Sequence, residues 1–158
     1  IKVRGIDPGK EMISVAKKKK GKNYKNVSFI IDEFQNVKLK PADLIISYYT
    51  IQFTREHIRQ ELINKIYSSL RWGGAFIFFE KVRAPDARFQ DMMTRMYDDF
   101  KIKNGYVPDE IVAKSRSLKG VMNPFSTQGN LELLQRAGFK DIMTIQKYIC
   151  FEGFLAIK

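Results

Sequence analysis

Short apolar runs alternate with helical segments along this chain, and that alternation limits the fold more than any other feature. Residues 1–6 read as a strand, with Ile1, Val3 and Ile6 apolar around Lys2 and Arg4. A helix follows at about 9–19, carried by Met12, Ile13, Val15 and Ala16, and then a strand at Val27–Ile31. The stretch LIISYY at 44–49 is an apolar run of buried-strand length, bounded by Pro41 and Thr50. Residues 54–70 predict a helix, with Thr54 as N-cap and Ile58, Leu62, Ile63, Ile66 and Leu70 on one face. Trp72-Gly73-Gly74 stops it, and AFIFFEKV at 75–82 is a second buried strand. This β-α-β-β-α-β order predicts a parallel sheet covered by helices.

The second half is more helical. Asp86 caps a helix running to about Lys103, whose stripe of Phe89, Met92, Met93, Met96 and Phe100 is assigned to the core. Asn104-Gly105 ends it, Pro108 opens a helix to about Ser117, and a third spans 127–137 before Gly138. Two apolar strands close the chain near 139–149 and 151–157. The join at Cys150–Gly153 is so tight that they pair antiparallel. The expected fold is α/β and Rossmann-like: a mostly parallel sheet with an antiparallel C-terminal strand, a helical insertion at about 85–125, and one domain over 1–158.

Composition narrows the function. No apolar run approaches a membrane span. Cys150 is the only cysteine, which excludes an intrachain disulfide and a cysteine zinc site and fits a reducing cytoplasm. His57 is the only histidine and reads as a surface residue; no metal site is expected. Of the formal charge of +11, residues 1–25 carry +7, nine basic residues against Asp7 and Glu11. That cluster is either a solvated lysine-rich helix end, favoured by the helix dipole, or an electrostatic footprint for RNA.

Ligands of such sheets bind beyond the carboxyl ends of the strands. Asp7, followed by Pro8-Gly9, sits at one such end and suits the vicinal hydroxyls of a ribose; capping the next helix is its structural alternative. In Asp32-Glu33-Phe34, Glu33 suits an adenine amino group while Phe34 packs on the ring. Tyr48 and Tyr49 close the third strand, where aromatic faces wall a sulfonium or belong to the core. Glu80-Lys81 is a substrate-facing pair or an ion pair, and Arg116 a bidentate carboxylate clamp or a solvated side chain.

The segments GGAFIFFEKV, MYDDFKIKNGYVPDEI and SRSLKGVM resemble the carboxy-S-adenosylmethionine synthase family, and the similarity runs from Val3 to near the C-terminus. The resemblance implies a class I methyltransferase fold, S-adenosylmethionine (SAM) and prephenate as substrates, and a partner enzyme that uses the carboxylated cofactor on the wobble uridine of transfer RNA. It places the family's ribose-binding Asp on Asp7, with Pro8 where Asn is common, and the adenine-binding Asp-Ile pair on Glu33-Phe34. The family's Asn after the third strand is Tyr48 here. Its carboxylate-gripping Arg falls on Ser115, with Arg116 next to it and turned by about 100° on a helix.

Those departures make methyl transfer from SAM to a small-molecule acceptor the leading expectation, with Tyr97, Tyr106 and Arg116 on the acceptor side and no general base named. Carboxy-SAM synthesis serving tRNA modification is the alternative, and an inactive RNA-binding or scaffolding module is another. A homodimer is an open option. The absence of any G-x-G-x-x-G disfavours a nicotinamide dehydrogenase. Within the family's fold, residues 1–6 correspond to the second strand. The chain is therefore expected to be a fragment that holds the ribose and adenine half of the site, without the first strand and its glycine-rich turn.

Overall fold

In the computed structural model, which describes residues 1–158, strand β1 (Val3–Asp7) lies parallel to β2 (Val27–Ile31), in register from Val3 against Val27 to Asp7 against Ile31. Helix α1 (Lys10–Lys20) joins them. Parallel neighbours need such a crossover, so the sequence order already dictates the unit. Ile13 is the buried anchor of α1. The helix ends on four lysines and then Gly21 at φ 57°, a left-handed stop beside the negative end of the dipole. These elements belong to a compact unit, Ile1–Leu39; residues Lys40–Lys158 form a second.

The second unit is a four-stranded sheet ordered β3-β4-β6-β5. Strand β3 (Ala42–Tyr48) runs parallel to β4 (Leu70–Lys81), and β6 (Phe151–Ile157) runs antiparallel to β4 and to β5 (Asp141–Tyr148). The antiparallel C-terminal strand is as expected. Period-two alternation sends Phe76, Phe78 and Glu80 of β4 to one face and Ala75, Ile77, Phe79 and Lys81 to the other. Helix α2 (Glu56–Ser69) packs against β4 and against α5 (Thr127–Ala137). Ile63, Ile66, Leu134, Phe139 and Phe154 are fully buried with Phe76 and Phe78. Along β3 the opposite face stays open at Leu44, Ile46 and Tyr48.

Four local expectations change. Trp72-Gly73-Gly74 is no helix stop: α2 ends at Ser69 and β4 begins at Leu70. The Gly pair absorbs a bulge instead, with Gly73 at φ 74°. Thr54 does not cap α2; Arg55 holds that position, and the Thr54 carbonyl accepts the Arg59 Nε–H at 2.9 Å. The methionine stripe is not core. Helix α3 (Ala87–Lys103) buries no residue, and Phe89, Met92 and Met96 are exposed because its packed side is the one carrying Tyr97 and Phe100. The closing turn is tighter than Cys150–Gly153: Tyr148 pairs with Phe151, leaving Ile149 at φ 51° and Cys150 between them.

Asp86 does cap α3, accepting the Phe89 N–H at 3.0 Å. Asp86→Ala should cost about 1 kcal/mol in a urea titration. Helix α4 (Pro108–Ser117) follows, opened by its proline as expected.

Candidate active site

At the carboxyl end of β1, Asp7 is half-buried and its Oδ1 accepts the Gly9 N–H at 2.7 Å. The bond is the physical reason for Pro8-Gly9. Proline presets the turn, and a Cβ on Gly9 would stand 2.9 Å from that same oxygen. One carboxylate oxygen is thus fixed by the chain, and the other can accept a ligand hydroxyl. After β2, Asp32 is spent on its own loop: Oδ1 accepts the Glu33 N–H at 2.8 Å and the Asn36 amide at 3.1 Å. Glu33 is exposed, with Gln35 donating to its carboxylate, and Phe34 is half-buried. Asp7, Pro8, Glu33 and Phe34 all lie in the first unit, after the ends of its two strands.

In the second unit the carboxyl ends of β3 and β4 carry an aromatic rim. Tyr48 and Tyr49 lie 4.6 Å apart between ring centroids, Tyr48 is 5.4 Å from Phe79, Tyr49 is 5.5 Å from Phe151, and Tyr97 of α3 is 5.2 Å from Phe151. Tyr49 has φ 53°, a strained value for an aromatic residue, and is held there by its N–H bond to the Phe79 carbonyl at 2.9 Å. The Lys81 ammonium lies 4.9 Å and the Lys101 ammonium 4.4 Å from the Tyr97 ring centroid. Burial pushes the Tyr97 phenol above its ordinary value, helped by Cys150, Tyr106, Asp98 and Tyr49. The Tyr49 phenol is raised by burial and then by Tyr48, Cys150 and Glu80. Both phenols therefore stay protonated donors at neutral pH.

Glu80 and Lys81 form neither an ion pair nor one substrate-facing unit, because neighbours on a strand point to opposite faces. Glu80 is 3% exposed and accepts the Ile51 N–H at 3.1 Å. Burial pushes its carboxyl up to about 8, against the pull of the Ile51 N–H and of Arg59. Arg59, also buried, donates to the carbonyls of Thr54 and Gln52 and lies 4.5 Å over the Phe125 ring. The Gln52 side chain in turn accepts the Lys81 N–H at 2.7 Å. Glu80 thus pins the turn Ile51–Phe53 that follows the two tyrosines.

Among the remaining candidates, Tyr97 and Tyr106 lie within each other's electrostatic reach, whereas Arg116 on α4 is exposed and joined to the rim by no hydrogen bond, ion pair or ring contact. Ser115 is exposed beside it, and His57 is exposed on α2. Phe79, Phe151, Lys101 and Cys150 belong to the rim and escape a sequence reading, since three of them lie on elements distant in sequence from the tyrosines. Gln52 and Arg59 look like ordinary surface residues by type, and Glu80 is named in the sequence only as half of a pair with Lys81. No group of three His, Cys, Asp or Glu is placed to hold a metal ion, and no helix is long and apolar enough to cross a membrane.

Known proteins give this geometry a family. The pattern described as Methyltransferase domain matches residues 1–141. A carboxy-S-adenosyl-L-methionine synthase of Campylobacter jejuni is 38% identical over 157 residues, covering 99% of this chain and 67% of that protein. The chain belongs to the carboxy-SAM synthase family. A Staphylococcus epidermidis protein of the same name is 38% identical over 133 residues, 84% of this chain but 58% of its own length. The chain thus spans roughly three fifths to two thirds of these relatives.

Solved structures agree on the fold. Human N-acetylserotonin methyltransferase in complex with SAM superposes with a TM-score of 0.63 at 19% identity, over 99% of this chain and 40% of that one. A SAM-dependent methyltransferase of Thermotoga maritima gives 0.61 at 20% identity, over 99% and 72%. The architecture is the Rossmann-like class I methyltransferase fold, and the family is one of SAM-dependent transferases.

Proposed function

We propose that this chain serves a SAM-dependent transferase of the carboxy-SAM synthase type, in which one methyl hydrogen of SAM is replaced by a carboxyl group from prephenate. Prephenate becomes aromatic as its carboxyl and hydroxide leave, and the methyl proton ends with the hydroxide as water. One observation carries the choice over plain methyl transfer: the rim at the carboxyl ends of β3 and β4 holds a lysine ammonium among its aromatics, in a chain that aligns along nearly its whole length with synthases of that name. Asp7 receives the ribose hydroxyls, and Glu33 and Phe34 the adenine. Tyr48 and Tyr49 stand near the sulfonium, whose positive charge suits aromatic faces. Tyr97 and Tyr106 lie on the side of the second substrate. The protein's contribution is positioning the reacting carbon atoms in a partly dry rim. The expected product feeds a partner enzyme of tRNA wobble-uridine modification in the cytoplasm.

Incubation with SAM and prephenate, read by mass spectrometry, tests the proposal. The expected result is a nucleoside heavier than SAM by one carboxyl group; methylated acceptor without that product would overturn it. Asp7→Ala should weaken nucleoside binding about tenfold or more, the loss of charge-assisted hydrogen bonds to the ribose, in a calorimetric titration with SAM.

Methyl transfer to a small-molecule acceptor is the second reading. Ser115 favours it, because it stands where the family's carboxylate-gripping Arg falls and Arg116 lies outside the rim. A module that binds RNA through the exposed Lys17–Lys25 stretch would show salt-dependent tRNA binding and no SAM binding.

A further inference from the structure

The rim contains one positive charge that the protein does not balance. Lys81 and Lys101 share the Tyr97 ring, at 4.9 and 4.4 Å from its centroid. Lys101 is neutralised by Asp98, whose Oδ1 is 2.6 Å from its ammonium. Lys81 has no acidic partner: Glu80 is turned to the other face, and Glu152, across the sheet, pairs with Lys147 at 2.8 Å. Two ammonium groups around one ring repel each other, and the repulsion is felt more in a partly buried site than in bulk water.

Lys81 is also held where a ligand would meet it. Its backbone is fixed by the Gln52 amide oxygen at 2.7 Å and by register with Phe151. It is half-buried at the carboxyl end of β4, the end at which ligands of such sheets bind. The neighbouring Tyr97 phenol adds a neutral hydrogen-bond donor.

We propose that Lys81, packed over the Tyr97 ring, is the specificity-determining cation that receives a carboxylate of the ligand at this rim. The inference rests on the carboxy-SAM reading and names the group that does the work assigned elsewhere in the family to the position of Ser115. A singly charged carboxylate matches the single unbalanced ammonium; a phosphate dianion would leave the site net negative. The carboxylate docks on the Lys81 ammonium and separates it electrostatically from Lys101.

The test is a titration of the 158-residue chain with sodium malonate, against sodium chloride and sodium phosphate at equal ionic strength, read by amide NMR shifts. Malonate should produce saturable shifts at Lys81, Val82, Tyr97 and Phe151. Lys81→Met should weaken that binding about tenfold or more, and Lys81→Arg should restore most of it. Equal shifts with chloride or phosphate, or unchanged malonate binding in Lys81→Met, would overturn the proposal. The product assay with SAM and prephenate is run on the same variants. Carboxylated product formed equally well by Lys81→Met sinks the role of Lys81 and leaves the carboxy-SAM reading standing. Malonate binding lost in Lys81→Met, in a chain that makes no carboxylated product, supports the carboxylate site and sinks only that reading.

Discussion

Replacing Glu80 by alanine is expected to cost about 1–3 kcal/mol of stability, the range for leaving a buried donor without its acceptor. Its carboxyl accepts the Ile51 N–H at 3.1 Å in a site almost closed to water, within the field of Arg59. Alanine would leave that N–H unsatisfied, while the Thr54 and Gln52 carbonyls and the Phe125 ring would still hold Arg59. Glu80→Gln keeps an acceptor oxygen and should lose far less. The two variants differ most informatively in their response to pH. Burial raises the carboxyl from 4.5 to about 8, so between those values the folded chain keeps a proton that the unfolded chain has released. Stability contributed by this group therefore declines as pH rises from about 4.5 and levels off above about 8. Urea titrations near pH 5, 7 and 9 should show a falling wild-type midpoint and a flatter one for Glu80→Gln. Identical slopes in the two proteins would refute the account. Because Glu80 pins the Ile51–Phe53 turn, Glu80→Ala should also loosen Tyr48 and Tyr49, visible as lost amide-exchange protection at Tyr49.

Gly153→Val should destabilise the chain by about 1–3 kcal/mol and disturb the rim at the same time. Gly153 lies opposite Phe79 in the β4–β6 register, and a Cβ there would stand 2.6 Å from Phe79 Cε1 and 3.3 Å from the Gln146 Cβ. The aromatic ring covers the glycine, the pairing by which a strand tolerates a residue without a side chain. Phe79 also packs on Tyr48 and Tyr49, so pushing the ring aside shifts both tyrosines. Phe79→Ala should cost stability alone yet partly rescue Gly153→Val, since it removes the clash. A double-mutant cycle by chemical denaturation checks this, and strictly additive effects would show that the ring and the glycine do not meet.

Much of the fold was legible because its elements follow local rules. The apolar runs at Val27–Ile31 and 75–82, the capping Asp86, Pro108 at a helix start and Gly138 at a helix end each act within a few residues. The errors came where a local signal had two outcomes. Trp72-Gly73-Gly74 suits a helix stop and a bulge equally well, and only the pairing of β4 with β3 selects the bulge. The apolar stripe Phe89, Met92, Met96 suits a core helix. Whether anything covers it depends on the path of the rest of the chain, and nothing buries it.

The candidate site divides along the same line. Asp7 and Glu33 could be chosen from sequence because a carboxylate just after a strand is placed by the strand itself. Lys81 could be named only as half of a pair with Glu80, and Lys101 and Phe151 not at all, since their meeting around Tyr97 requires β4, the β5–β6 hairpin and α3 to converge. By itself the sequence determined the order of strands and helices, the family, and the residues at strand ends, all consequences of hydrophobic period and turn chemistry acting over short stretches. Only the tertiary structure decided that Glu80 is buried while Lys81 faces the rim, and that one lysine there goes unbalanced, because burial and charge pairing depend on which distant segments pack against each residue.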